Sequence, residues 1–376
     1  MRWCYSLPMK TKTKTPSVVS TSPAAVVSGF TLGLDLGDRA HHVCVLDVSG
    51  QIVREASLPN TRPALSQLLT DFPRATVALE AGTHSPWISR YLTGLGAVVL
   101  VANPRKLHAI SRNERKCDRR DAQMLARLAR ADVALLHPIE HGTAQAQHDL
   151  LGLKLRDALV RTRVNLINAV RFTLKSLGHS VCNPSSESFH KAVLANIPAD
   201  CLPVVQPLLT VLTQVTEQIK GMERDLVQRS KKDYPVTQRL QQISGVGPLT
   251  SLCFVLKIGD PERFSRGRDV GAYLGLCPRR DQSGSTDKQL RISKCGDGMM
   301  RRLLVSAAHY ILGPFGPACA LREYGQRLAG TGSAREKKRA VVAVARKLAV
   351  LLLSLWKHDA DYEPRATTPV LVMTPA

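Results

Sequence analysis

Four carboxylates in the N-terminal third of the chain occupy positions from which a sheet-and-helix domain could aim them at one point. Asp35 and Glu80 each end a short apolar run, and Asp118 and Asp121 open a helical pattern. Their i, i+3 spacing puts both aspartates on one helix face. Carboxylates brought together repel each other unless a cation lies between them, and hard oxygen ligands suit Mg²⁺. The four acids therefore predict a Mg²⁺ site.

An excess of positive charge runs through the whole chain. Its 376 residues include 52 Lys and Arg against 30 Asp and Glu, a formal net charge of +22. Such a charge raises affinity for nucleic acid or an anionic membrane surface, and its spread along the chain favours nucleic acid over a merely soluble or ribosome-associated basic protein. A Mg²⁺ site in such a protein points to chemistry on phosphodiesters.

Composition argues against several other classes. No apolar run reaches about 18 residues, so we expect no membrane span. The basic N-terminus has no apolar segment after it, and we interpret residues 1–28 as a disordered basic arm rather than a signal peptide. The nine cysteines include no CxxC pair, which argues against a zinc site and a disulfide framework. Reduced thiols in a cytoplasmic protein are the simplest account.

Apolar runs and turn signals predict the elements that hold the acids. Strands are expected at 30–36, 42–48, 52–58, 75–80 and 97–102, and helices at 63–72, 86–95, 105–112 and 119–131. Three strands in a meander, followed by alternating helix and strand, are typical of a ribonuclease-H-like α/β domain. That fold carries acids on its first strand, on a later strand end and on a following helix, and the four carboxylates fit those places.

Two long helical segments follow, at 144–177 and 202–229. The second carries apolar residues at alternating spacings of three and four, which is a heptad pattern; these are Val205, Leu208, Leu212, Val215, Ile219, Met222 and Leu226. The pattern fits an intramolecular hairpin with the first segment or a dimer. We expect a helical spacer that also dimerises.

The C-terminal part is predicted to be mostly helical, with helices at 269–276, 298–312 and 336–356. Before them, Gly245 and Gly247 lie between apolar runs and resemble a helix-hairpin-helix turn, whose backbone N–H groups can bind phosphate. An ordinary glycine turn explains these two residues equally well.

A polar loop is expected at 277–294, and it holds the second candidate for chemistry. Ser283 could act as a nucleophile if a base, a metal or nearby positive charge activates it. Cations around it would hold a scissile phosphate and stabilise developing charge; these are Arg279, Arg280, Arg291 and Lys294. The alternative is a flexible basic loop that only grips phosphate.

One competing interpretation comes from the motif around Asp35. GxDxG after a strand also opens the actin-like sugar and acetate kinases, which share the ribonuclease-H core. Such a kinase needs a second phosphate-binding glycine turn in a duplicated domain, and the sequence shows no duplicate. A small anionic substrate also does not call for a charge of +22.

Seven sequence blocks, in order over about residues 32–356, resemble the DEDD-type insertion-sequence transposases, also described as bridge-RNA-guided recombinases. The blocks are GLDLGDRAHHVCVLD, VALEAGTHSPW, VLVANPRKL, KCDRRDAQMLARL, QISGVGPLTS, AYLGLCPRRDQSGS and LRISKCGDGMMRRLL. The resemblance implies that Asp35, Glu80, Asp118 and Asp121 bind Mg²⁺ and that Ser283 forms a covalent phosphoserine with DNA. It also implies a composite site between subunits and a structured guide RNA.

These observations predict a DNA transposase or recombinase that works as a dimer or tetramer. We expect a basic arm at 1–28, a RuvC-like α/β domain at 29–140, a helical coiled-coil spacer at 141–235, a mostly α C-terminal transposase domain at 236–358 and a tail at 359–376. The alternatives are a metal-only RuvC-like junction nuclease, in which Ser283 is structural, and an inactive nucleic-acid-binding protein.

Overall fold

The computed structural model describes residues 29–107, 117–181, 184–284 and 286–364. The predicted basic arm, most of the predicted helix at 105–112 and the end of the tail lie outside these ranges. The chain divides into two compact units, Met1–His141 and Gly142–Ala376.

The first unit contains a five-stranded mixed sheet. Its strands are β1 Thr31–Asp35, β2 Ala40–Leu46, β3 Ile52–Pro59, β4 Thr76–Glu80 and β5 Val98–Ala102. Their spatial order is β3-β2-β1-β4-β5. The meander β1–β2–β3 is antiparallel, whereas β4 lies parallel to both β1 and β5. The predicted mixed α/β architecture is confirmed, and each strand lies within about two residues of its predicted bounds.

Helices cover both faces of this sheet. On one face, Leu34 and Leu79 pack in a core with residues of helices α1 Arg62–Asp71 and α2 Ser85–Gly94. On the other face, Cys44 and Leu46 pack against helix α3 Asp118–Ala131. Strand side chains alternate between faces, so consecutive residues of β1 and β4 face different helices.

The second unit opens with two long antiparallel helices, α4 Ala144–Ser176 and α6 Leu202–Asp233, with the short α5 Phe189–Ala192 between them. Arg156 of α4 pairs with Glu223 of α6. The intramolecular hairpin is therefore present. The buried seam of α6 differs from the predicted one: Leu209 and Thr216 are buried, whereas Leu208 and Val215 are only half-buried.

The rest of the second unit, as far as the structure describes it, is helical apart from one β-hairpin. It comprises α7 Val236–Leu240, α8 Pro248–Ile258, α9 Asp269–Tyr273, β6 Pro278–Ser283, β7 Thr286–Ile292, α10 Gly298–Leu312, α11 Ala320–Ala329 and α12 Ala334–Lys357. The mostly helical remainder is as expected. None of the helices in the described ranges is long and apolar enough to cross a membrane.

Two local predictions for this part of the chain are wrong. The helix expected at 269–276 ends at Tyr273, because Gly275 adopts a left-handed backbone with φ +70°. The segment expected to be a loop at 277–294 forms the β6–β7 hairpin. No pattern in the sequence indicates α11, whose ten residues include two arginines and one glycine.

Candidate active site

Asp35 and Glu80 lie side by side at one edge of the sheet. β1 and β4 are parallel neighbours, and Leu34 is in register with Leu79, so the next residue on each strand, the acid, lies at the same carboxyl-terminal edge. Leu34 and Leu79 pack into the α1 and α2 core. Because side chains alternate along a strand, Asp35 and Glu80 are on the opposite face, which α3 covers.

A close approach of α3 to β1 brings the remaining acids to this edge. A Cβ atom added at Gly33 would lie 2.6 Å from the backbone nitrogen of Ala126 and closer still to the carbonyl oxygen of Ala122. Only a glycine lets the helix pack directly on the strand backbone at this point. Asp121, which precedes Ala122, is 5% exposed and is thereby held near the strand that ends in Asp35.

Asp118 lies one turn before Asp121, at the start of α3, and its side chain is mostly exposed. Its Oδ2 atom is 3.7 Å from Nε2 of His42, and His42 is in register with Asp35 on the neighbouring strand. All four predicted acids are therefore found at one edge and on one face of the sheet.

The four carboxylates are nevertheless not close enough together to form a complete metal site. Within the described ranges, no group of three or more His, Cys, Asp or Glu side chains could hold a metal ion as placed. The donor set itself fits a divalent cation, since carboxylate oxygens are the ligands that Mg²⁺ uses, and its backbone positions share one face and edge.

A polar group beside the acids was not anticipated from the sequence. Asp38 follows Asp35 in the β1–β2 turn, and its Oδ1 atom is 2.9 Å from Nε2 of His84, which follows Glu80. Trp87 of α2 donates its indole N–H to Nδ1 of His84 at 3.3 Å. The blocks that hold Asp35 and Glu80 contain these residues, but only the folded chain shows that they touch.

A second unanticipated group fixes the solvent side of α3. Arg119, the residue after Asp118, pairs with Glu55 of β3, and Gln123 also donates to that carboxylate. Hydrogen bonds from Arg119 and Gln123 hold the pKa of Glu55 below its usual value. These contacts fasten the first turns of α3 across the meander.

Ser283, in the second unit, lies at the exposed tip of the β6–β7 hairpin, where it is in register with Thr286. Gly284 takes a left-handed backbone, φ +55°, next to it. Every residue from Arg279 to Arg291 that the structure describes is exposed. The hairpin therefore projects from the core of its unit and presents Ser283 to solvent.

The base of the hairpin is tightly fixed. The N–H of Ser293 donates to the carbonyl oxygen of Cys277 at 2.8 Å, and that of Lys294 donates to the carbonyl oxygen of Gly275 at 3.2 Å. Asp297 caps α10 through the N–H of Met300 at 2.8 Å and accepts from Lys257 at 2.6 Å. The serine tip is thus carried on an exposed arm with a rigid root.

Side chains alternate between the two faces of the hairpin, so the residues around Ser283 fall into two groups. Asp281 shares its face, and Lys288 is in register with Asp281; neither was among the predicted site residues. Arg280 lies on the other face and pairs with Asp287, with Nε 2.6 Å from Oδ1. That guanidinium lowers the pKa of Asp287. Arg280 is therefore already engaged by a carboxylate.

The other predicted phosphate contacts fall in two places. Arg279, Arg291 and Lys294 are exposed along the hairpin and its base. Gly247 is the N-cap residue of α8, and Gly245, with φ +88°, packs against Ala307 and Tyr310 of α10. Gly247 therefore lies at a helix start, whereas Gly245 lies two residues before it and meets the packing need of an ordinary turn.

Comparison with known proteins gives matches over both units. Residues 32–178 match the DEDD family model described as "Transposase", and residues 237–319 match the model described as "Transposase IS116/IS110/IS902 family".

Relatives that match about three quarters or more of the chain are also described as transposases. The transposase for insertion sequence element IS1328 of Yersinia enterocolitica is 30% identical over 287 residues, 74% of this chain and 82% of the relative. The transposase for insertion sequence element IS1111A of Coxiella burnetii is 29% identical over 290 residues, 75% and 77% of the two chains. A probable family 20 transposase of Pseudomonas aeruginosa is 26% identical over 345 residues, 89% and 98%. The chain therefore belongs to the IS116/IS110/IS902 family of DEDD-type insertion-sequence transposases.

Proposed function

We propose that this transposase cuts and rejoins DNA at the ends of its element through Ser283, assisted by a divalent cation at the four acids. The observation that carries this proposal is the placement of Asp35, Glu80, Asp118 and Asp121 on one face at one edge of the sheet. A ribonuclease-H-like, specifically RuvC-like, domain at 29–140 accounts for that arrangement.

The proposed reaction conserves the energy of the phosphodiester. The Oγ atom of Ser283 attacks phosphorus and loses its proton, a new P–Oγ bond forms, and the bond from phosphorus to one deoxyribose oxygen breaks as that oxygen gains a proton. Attack of a deoxyribose hydroxyl from another strand reverses these steps and releases the serine. Rejoining therefore needs no nucleotide cofactor.

Each part of the proposed site has a separate task. A bound divalent cation of the Mg²⁺ type would polarise the phosphoryl oxygens and lower the pKa of nearby hydroxyl groups. Asp35, Glu80 and the α3 aspartates would hold that cation. Arg279, Arg291 and Lys294 would hold the phosphates that flank the scissile one, and Arg280 would exchange Asp287 for a phosphate or stay paired with it. Gly245 and Gly247 would add backbone contacts to phosphate.

The resemblance extends the proposal to partners. A structured RNA from the element would choose donor and target DNA by base pairing, and the basic composition suits both nucleic acids. The α4–α6 hairpin, as a coiled-coil spacer at 141–235, would join copies of the chain into a dimer or tetramer. The acids of one copy would then act with the Ser283 hairpin of another, within the C-terminal domain at 236–358.

A recombination assay with purified full-length protein tests this function. Donor and target plasmids, Mg²⁺ and RNA transcribed from the flanks of the element are mixed, and the joined product is quantified by sequencing across the junction. We expect product with the wild type and none with Asp35→Asn or Ser283→Ala, while Ser293→Ala at the hairpin base retains it. Joined product made by Ser283→Ala would overturn Ser283 as the nucleophile.

A further inference from the structure

Two loops follow the strands that carry Asp35 and Glu80, and one side-chain hydrogen bond joins them. Asp38 lies three residues after Asp35, between β1 and β2, and His84 lies four residues after Glu80, between β4 and α2. The Nε2 atom of His84 is 2.9 Å from Oδ1 of Asp38. The bond therefore ties together the ends of the two neighbouring strands.

The tautomer of His84 follows from its second contact. The indole of Trp87 can only donate, and its Nε1 atom is 3.3 Å from Nδ1 of His84. Nδ1 must therefore accept, which leaves the ring proton on Nε2, where it donates to the carboxylate of Asp38. The ring is thus held at both nitrogens, with its donor aimed across the gap between the loops.

Each loop is also anchored by itself. Asn60 donates from Nδ2 to the carbonyl oxygens of Gly37 at 3.3 Å and Asp38 at 3.1 Å. In the other loop, Oγ of Ser85 accepts from the N–H of Gly82 at 2.9 Å. Because neither loop is loose, a bond between them transmits position to the strand ends rather than only joining two flexible segments.

The exposure of the pair argues against a role in folding. The Asp38 side chain is 94% exposed and that of His84 is 26% exposed. Exposed charge-assisted pairs contribute little to the free energy of unfolding. Fixing an imidazole and a carboxylate beside the acid site therefore gains little for stability, whereas it sets the spacing of the loops that follow both acids.

We propose that the Asp38–His84 hydrogen bond is a positioning element that holds the ends of β1 and β4 so that Asp35 and Glu80 face one divalent cation. This inference rests on the proposed metal site. His84 and Asp38 act through the acids and are not themselves ligands. Bonds that orient metal ligands from outside the coordination sphere commonly change metal affinity by 10- to 100-fold, and an exposed one by less.

Direct Mn²⁺ binding to the full-length protein tests the inference without reference to DNA cleavage. The electron paramagnetic resonance signal of free Mn²⁺ gives the dissociation constant for Mn²⁺ alone. We expect Asp38→Ala and His84→Ala each to raise it about 3- to 10-fold, and the double variant to be no weaker than the weaker single one. Asp38→Asn keeps an oxygen that accepts from Nε2 and should stay within about 2-fold of wild type. Melting temperatures check that all variants remain folded.

The variants separate the ways in which the inference could fail. Wild-type Mn²⁺ binding by both alanine variants, together with lost binding by Asp35→Asn, would overturn the positioning role and leave the metal site intact. If Asp38→Asn binds as weakly as Asp38→Ala, then Asp38 acts through its charge, and the hydrogen-bond account is overturned. Unchanged binding by Asp35→Asn would overturn the metal site and the inference with it.

Discussion

Replacement of Gly33 by alanine should move the helix that carries Asp121 away from the strand that carries Asp35. The new Cβ atom would lie 2.6 Å from the backbone nitrogen of Ala126, where real Cβ atoms stay beyond about 3.0 Å, and it would overlap the Ala122 carbonyl oxygen. Because both neighbours are helix backbone, no side chain can rotate away. The helix must shift by more than about 0.4 Å, the difference between these two distances.

Gly33→Ala should affect both the free energy of unfolding and the rate of DNA cleavage. Inserting a methyl group into a packed interface costs about 1–3 kcal/mol in the free energy of unfolding. A misplacement approaching 1 Å between groups that must act together costs about 10- to 100-fold in rate. Gly33→Ala should therefore lower the urea midpoint and, at protein concentrations and temperatures where it stays folded, also lower the rate of DNA cleavage at saturating substrate.

Gly82→Ala is the matched control. Gly82 lies in the loop after Glu80, at the same edge of the sheet, and a Cβ atom there meets nothing within 4 Å. The same substitution should leave stability within about 0.5 kcal/mol of wild type and cleavage unchanged. If Gly33→Ala matched Gly82→Ala in both measurements, the close packing of α3 on β1 would not be what positions the acids. Lost stability with full cleavage would limit Gly33 to a role in folding.

Three further predictions concern the second unit. Arg163 is 7% exposed, and its Nε and Nη1 atoms have no hydrogen-bond partner in the described structure, so Arg163→Leu should raise the free energy of unfolding by about 1–3 kcal/mol in urea denaturation; a loss would show that the cation is satisfied. Burial alone would raise the pKa of Asp149, but its hydrogen bonds, of which the one from Tyr234 has the largest effect, lower that pKa overall. The contribution of Asp149 to the free energy of unfolding should therefore be full above about pH 4 and be lost as the pH falls through its lowered pKa in the folded protein. Asp149→Asn should weaken this pH dependence in urea denaturation between pH 2 and pH 6. Asp297→Ala removes the cap of α10 and leaves Lys257, 16% exposed, without its carboxylate, so the thermal midpoint should fall by an amount equivalent to about 2–4 kcal/mol, whereas Asp297→Asn should recover the cap portion of that loss.

The acids on the strands could be located from the sequence because their strands are short, apolar and buried. β1 and β4 are runs of apolar and small residues that end in the acid itself, so the period and the end of each run both point to Asp35 and Glu80. The sequence pattern does not indicate how closely α3 packs on β1. That depends on Gly33 meeting the backbone at Ala122, a contact between residues about ninety positions apart.

The β6–β7 hairpin could not be predicted, because the usual strand signal depends on one buried face. Every described residue from Arg279 to Arg291 is exposed, so neither face of the hairpin is a buried apolar face, and no hydrophobic alternation results. The face that Ser283 shares with Asp281 is therefore visible only in the structure.

The seam of α6 was misplaced for a related reason. Leu208 and Val215 are as apolar as the residues beside them, so two heptad registers fit the same stretch, and apolar character alone favours the wrong one. The structure selects the register that buries Leu209 and the polar Thr216. Whether a polar residue is buried in a helix seam depends on the packing of the partner helix, so the spacing of apolar residues in the sequence does not indicate it.

Covalent capture of cleaved DNA shows directly whether Ser283 is the nucleophile. Full-length protein, Mg²⁺, RNA from the element and a labelled DNA that carries the element junction are mixed, denatured and run on a gel, and the labelled protein is digested to map the attachment site. We expect a protein–DNA adduct on the peptide that contains Ser283. The adduct should be absent from Ser283→Ala and from Asp121→Asn and present in Ser293→Ala. Cleaved DNA without an adduct, unaffected by Ser283→Ala, would contradict this role of Ser283.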